Sequence, residues 1–280
     1  MVGADVVSTL VTPTAGPPTV CPGESVGPER HNRRVTAPDA ELVSSIRGAL
    51  AEAADPAKAA PMQAYMKSEM PYRGIPSPQL TAVLQPLLAH HPLDEETWQA
   101  TVLALWDRAD FREERYAALA LARQRLHREH RQAHTIGLYD HLVRTGAWWD
   151  LVDETSTHLV RELVLAHPAE VRPVIQDWAV ADDLWVRRGA IICQVGAGDA
   201  LDQSLLAEAI EANLDGSTRA TPALSPYGRE FFIRKAIGWA LRDHARVDPG
   251  WVSAFVDRHH DQLSGLSRRE ALKHLQQGQP

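Results

Sequence analysis

From Asp39 onward apolar residues recur at every third or fourth position, as in Leu42, Ile46 and Leu50, then Leu103 and Trp106, then Ala117, Leu121 and Leu126. That spacing places them on one stripe of an α-helix, whereas the alternation a half-buried strand needs is almost nowhere sustained. The body of the 280-residue chain is therefore expected to be helical throughout. Breakers fall at Pro71 to Gly74, His91-Pro92, Gly146, His167-Pro168 and Asp248-Pro249, so helices of ordinary length joined by short turns follow. At roughly 40 residues per helical pair, residues 39–275 hold about six pairs. The expected fold is an all-α, HEAT-like helical repeat solenoid, in which each pair buries its apolar stripe against its neighbours and the inner helices line a concave face.

Two segments break the pattern. Residues 1–38 carry Pro13, Pro17, Pro18, Pro22, Pro28 and Pro38 with few large apolar groups, too little to offset the entropy of ordering, and are expected to be a disordered tail. Residues 213–229, with Gly216, Pro222, Pro226 and Gly228, are expected to form an inserted loop within a 39–275 domain.

Composition excludes several classes. No stretch approaches the roughly 18 apolar residues of a membrane helix, so no membrane association is expected. Cys21 and Cys193 cannot build a disulfide framework or a cysteine-rich zinc site, and the N-terminal residues lack a basic cluster and an uninterrupted apolar run, which together favour the cytoplasm. The thirteen histidines are scattered, pairs such as His90-His91 and His259-His260 read as solvated surface, and no phosphate-cradling glycine loop is present; neither metal nor cofactor is expected. A net charge of −7 argues against indiscriminate coating of nucleic acid. Between residues 111 and 131, however, Arg112, Arg115, Arg123, Arg125, Arg128 and Arg131 face only Glu113, Glu114 and Glu129, so a locally basic face on an acidic chain is expected.

Three segments combine aromatic and charged groups. Trp149 and Asp153 are four apart, which puts an indole beside a carboxylate on one helical face. Asp183 starts a helix whose Leu184, Ile191 and Ile192 turn to the core while Arg188, beside Arg187, projects to the inner side. Lys235 and Trp239 share a face, with Gly238 allowing close approach of another backbone. Each also has a plain reading: tryptophans at this spacing are more often core, Asp150 a solvated charge, Asp153 a helix-pairing residue, and Arg187 and Arg188 an exposed face.

Taken together, these segments resemble the AlkD family of bacterial DNA alkylation repair glycosylases. The resemblance rests on Met62 to Lys67 with Gly74-Ile75, Trp148 to Asp153, Leu184 to Ile191, Glu230 to Arg242 and Leu266 to His274, which span nearly the whole body. It implies that Trp149, Asp153 and Trp239 are catalytic, that Arg188 grips the DNA backbone, and that Tyr65 touches DNA near the lesion; Lys235 and Arg187 join them as DNA-binding candidates. It further implies a monomer acting on double-stranded DNA that contains alkylated purines. Cationic N3-alkyladenine and N7-alkylguanine, with bulky adducts as a further class, would lose their bond to deoxyribose, the base staying in or near the stack. Other readings are a non-catalytic DNA-structure binder on the same scaffold, a protein-binding repeat scaffold, and a glycosylase specialised for self-resistance to a bulky alkylating natural product.

Overall fold

Aspartates open six of the fourteen α-helices among the described residues. In the computed structural model, which describes residues 36–214 and 226–275, Asp39 accepts from the Leu42 amide at the start of α1 (Ala40–Glu52), and Asp55 caps α2 (Pro56–Met66). After α3 (Ser77–Leu88), Asp94 caps α4 (Glu95–Asp107), which leads to α5 (Arg112–Ala122) and α6 (Ile136–Gly146). An unbroken rod over residues 149–166 comprises α7 (Trp149–Glu154), a π-helical segment (Thr155–Val160) and α8 (Arg161–Ala166). Pro168 begins α9 (Pro168–Ala179), Asp183 caps α10 (Leu184–Ile192) and Asp202 caps α11 (Gln203–Glu211). Then come α12 (Phe231–His244), α13 (Pro249–Arg258), capped by Asp248, and α14 (Gly265–Ala271), capped by Ser264. Each capping oxygen satisfies amides that the first turn leaves without an intrahelical partner.

No strand occurs among the described residues. Alternate helices pack in layers, α9 on α11, α10 on α12 and α12 on α14, which is the arrangement of a helical repeat solenoid. Leu42, Ile46 and Leu50 are buried as their spacing requires, and Trp98 and Trp106 are sealed in the core. Leu126 departs from the expected stripe: it lies in a 3₁₀ segment (Arg125–His130) and is exposed, because α5 ends at Ala122 before the period reaches it. The tail expected over residues 1–38 lies, up to residue 35, outside the described residues, as does the 215–225 part of the expected loop. Asn213, at the loop's leading edge, is fully buried and donates to the carbonyls of Ala179 and Ala209 at 2.9 Å.

Two contacts set the register of the helices around the site. A Cβ on Gly238 would lie 2.6 Å from Glu270 Cβ, so only glycine lets α12 and α14 come this close. Gly74, at φ +86°, turns the chain before α3, and the buried Glu113 carboxylate receives the amides of Arg73, Gly74 and Ile75 at 2.9–3.2 Å. Beside it, Glu114 bridges Arg47 and Arg73 at 3.1 Å each, tying α1 and the α2–α3 link to α5.

Replacing Glu113 by alanine strands three amides, two of them at fully buried contacts, at about 1–3 kcal/mol each. A fall of several kcal/mol in unfolding free energy is expected, read as a lower urea midpoint with little change in slope; an unchanged midpoint would refute the role. His127 is buried and neutral, accepting the Leu93 amide at 3.2 Å, and burial, followed by the neighbouring His130, holds its pKa below the ordinary 6.5. The unfolded chain therefore binds a proton that the folded chain resists. The contribution of neutral His127 to stability is full above pH 6.5 and falls as pH drops below it. Urea midpoints at about pH 7.5 and about pH 5.5 should differ by less in His127→Gln than in the parent chain.

Candidate active site

The 149–166 rod presents Trp149 and Asp153 one turn apart at its N-terminal end, as their spacing requires. Asp153 is largely buried, and both its oxygens are taken by Arg188 of α10, which donates from Nε and Nη2 at 2.7 Å each. The same guanidinium donates from Nη1 to the Phe232 carbonyl at 2.6 Å, so Arg188 joins α7, α10 and the first turn of α12. Burial pushes the Asp153 carboxyl above its ordinary value, and Arg188 opposes that shift by hydrogen bonding and charge. The result is an oriented carboxylate at a helix junction, held in a forked pair.

Arg188 does not stand free on an inner surface, as the sequence suggested. It is only 5% exposed, since its charge is needed by Asp153. Three of its five N–H groups are engaged, leaving two for another acceptor. Arg187 corrects the sequence reading more fully. At 7% exposure it closes the C-terminal end of α9, donating to the carbonyls of Ala179, Val180 and Ala181 and to Asn213 Oδ1. A guanidinium engaged by helix-end carbonyls has a structural role in closing that helix, rather than standing on an exposed face.

Tyr65 is 81% exposed on α2 and, with Trp149, lines a cleft of about 690 Å³ walled by Met62, Leu80 and Leu84. Lys235 and Trp239 stand on α12, half-buried, with Lys235 donating to Glu270 at 3.2 Å. The structure thus joins Asp153 to Arg188 directly and sets Trp149 and Tyr65 on one cleft. Lys235 and Trp239 belong to the adjoining helix, whose first turn Arg188 holds.

Sequence reasoning missed a polar chain beneath Trp149. Asp150 is not a solvated charge: Arg112 donates to its two oxygens at 2.5 and 3.3 Å, and the Tyr116 hydroxyl donates at 2.5 Å. Tyr72 completes the chain, its hydroxyl 2.9 Å from that of Tyr116. Burial, then the Asp150 charge, push the Tyr116 hydroxyl far above its ordinary value, so it stays a donor. The signal lay in the spacing of Arg112 and Tyr116, four apart on one face of α5, but their partner is 34 residues or more away in sequence.

The sequence profile of DNA alkylation repair enzymes matches residues 46–275. A solved structure from Enterococcus faecalis, a predicted DNA alkylation repair enzyme, is similar to this chain with 31% identity and a TM-score of 0.65, covering 79% of this chain and 96% of its own. No curated protein matches. Among the described residues no helix is long and apolar enough to cross a membrane. With a family profile over most of its length and a like-folded relative matched almost end to end, the chain belongs to the DNA alkylation repair enzyme family.

Proposed function

We propose that this chain is a monofunctional DNA glycosylase that hydrolyses the N-glycosidic bond of cationic N3- and N7-alkylated purines in duplex DNA, with the damaged base left in or near the stack. The observation that carries this reading is the forked Asp153–Arg188 pair set one helical turn from Trp149. Alkylation at N3 or N7 makes the base a cation, so it departs with the bonding electron pair and becomes neutral without being protonated. What the protein must supply is stabilisation of the sugar cation left at C1′ and a position for water.

Asp153 is suited to both tasks. An ionised carboxylate near C1′ opposes the developing positive charge, and in a partly dehydrated site this effect is far stronger than in bulk water. Water adds its oxygen to C1′ and releases a proton that the carboxylate or solvent takes. Trp149 and Trp239 contribute π-faces to the cationic nucleoside, about 1–2 kcal/mol each where water is excluded. Arg188 keeps Asp153 oriented and turns its two remaining N–H groups toward a flanking phosphate, while Tyr65 and Lys235 are the outer DNA contacts. Selectivity for cationic lesions follows, since nothing in this constellation activates a neutral base.

Asp153→Asn is expected to slow release of 7-methylguanine or 3-methyladenine from alkylated duplex by at least about 10²-fold, with DNA binding retained. Full release by that variant would overturn the assignment, and absence of abasic sites with the parent enzyme would make the chain a binder only. The catalytic form of Asp153 is the ionised one, and its folded pKa is raised, so activity is expected to decline as pH falls through a value above the 3.8 of a solvated aspartate. Arg188→Gln removes the group that lowers this pKa and should move the acid limb to still higher pH; a limb that stays in place would show that Asp153 ionisation does not govern the rate.

A further inference from the structure

The six arginines between residues 111 and 131 do not act as one face. Arg112 is bound to Asp150, and Arg115 lies over the Trp106 ring and donates to the Thr145 carbonyl. The remaining four, Arg123, Arg125, Arg128 and Arg131, gather with Arg161 and His158 around a second cleft of about 410 Å³. Arg123 lies on the rim of both this cleft and the one shared by Tyr65 and Trp149, so the two adjoin.

The charge in this cleft is not balanced. Glu154 pairs with Arg123, and Glu162 serves both Arg128 and Arg131 at 2.8 Å. Arg161 donates to the neutral Val195 carbonyl at 2.8 Å. Arg125 is exposed and forms no salt bridge among the described residues. Five guanidinium groups thus meet two carboxylates, an excess of three positive charges on a chain whose net charge is −7. Like charges this close repel one another, and a multivalent anion removes the penalty. The buried Nε of Arg131 also lacks a hydrogen-bond partner.

The π-helical segment sets where that anion lies relative to Asp153. In a continuous α-helix, residue 161 would point about 80° away from residue 153; the extra residue of a π turn returns it to within about 20°. Contacts to α10 agree, since Asp153 meets Arg188 and Arg161 meets Val195, just past the end of the same helix. Asp153 and Arg161 therefore share one side of the rod, about 10 Å apart along its axis. A duplex strand places a phosphate every ~3.4 Å of axis, so this separation spans a few nucleotides.

We propose that Arg125, Arg128, Arg131 and Arg161 form a second backbone subsite, which binds phosphodiester groups of the same duplex a few nucleotides from the one at Asp153. The proposal rests on the reading of the chain as a DNA enzyme with Asp153 at its reacting centre. Undamaged duplex affinity, measured over a salt series for the parent and for Arg125→Ala/Arg128→Ala, tests it. Both side chains are exposed, so the fold should persist, as circular dichroism will check.

The variant is expected to bind roughly 10-fold or more weakly at low salt, and the slope of log K against log salt should become shallower by about 0.9 for each phosphate that the variant no longer neutralises. Release of 7-methylguanine at saturating enzyme should stay within about twofold of the parent, because a phosphate grip remote from C1′ acts on binding rather than on the chemical step. Unchanged affinity and slope would overturn the subsite while leaving the glycosylase reading intact. An equal loss in Arg246→Ala/Arg258→Ala, exposed arginines elsewhere, would overturn it as a mere net-charge effect. Loss of inorganic tripolyphosphate binding with duplex binding retained would overturn it in favour of a free polyphosphate. A parent chain that binds no duplex would defeat both readings.

Discussion

One ion pair organises the site. Asp153 would be costly to bury alone, and Arg188 would be equally costly on its own; facing each other in a two-pronged contact, each supplies what the other lost on leaving water. Because Arg188 also holds the Phe232 carbonyl, the pair fixes the relation of three helices. The carboxylate is then oriented before any substrate arrives, and a preorganised charge is worth more than one that must reorient.

Support for that pair comes from below and from behind. Asp150, three residues earlier on the rod, is locked by Arg112 and Tyr116, so the N-terminal turn bearing Trp149 is pinned to α5. On the far side Gly189 gives α10 room against the π-helical segment, where a Cβ would meet Ser156 Oγ at 3.1 Å. Two largely enclosed acid–base pairs within one turn pin this end of the rod to α5 and α10. The arginines divide accordingly: those at 112 and 187 are taken up by the protein, Arg188 holds Asp153 with two N–H groups left over, and those at 123, 125 and 128 stand exposed beside the half-buried Arg161 and the buried Arg131.

How much of this was legible depended on how local each signal was. Asp183 as a helix cap, Pro168 and Pro249 as first helical residues, and the burial of Leu42, Ile46 and Leu50 are decided within a turn or two of chain, and the structure agrees at each. Trp149 beside Asp153 is likewise a matter of helical period. Arg187 and Arg188 show where that reasoning stops. Adjacent and identical in type, they differ by about 100° in direction, so one reaches the end of α9 and the other Asp153. Spacing places two residues on different faces, but only the neighbours packed there assign the work.

Sequence by itself therefore determined the helical class, the helix boundaries marked by caps and prolines, and the set of aromatic and charged side chains available to a site. These follow from backbone sterics and from periodicity within single helices. Tertiary structure alone decided which carboxylate each arginine meets, that Asp150 is paired with Arg112 and Tyr116 rather than solvated, and that Arg161, brought round by the π-helical turn, reaches the Val195 carbonyl. Those outcomes depend on helices 30 or more residues apart in sequence, where ion pairing, burial and close packing are set by contacts that no local pattern encodes.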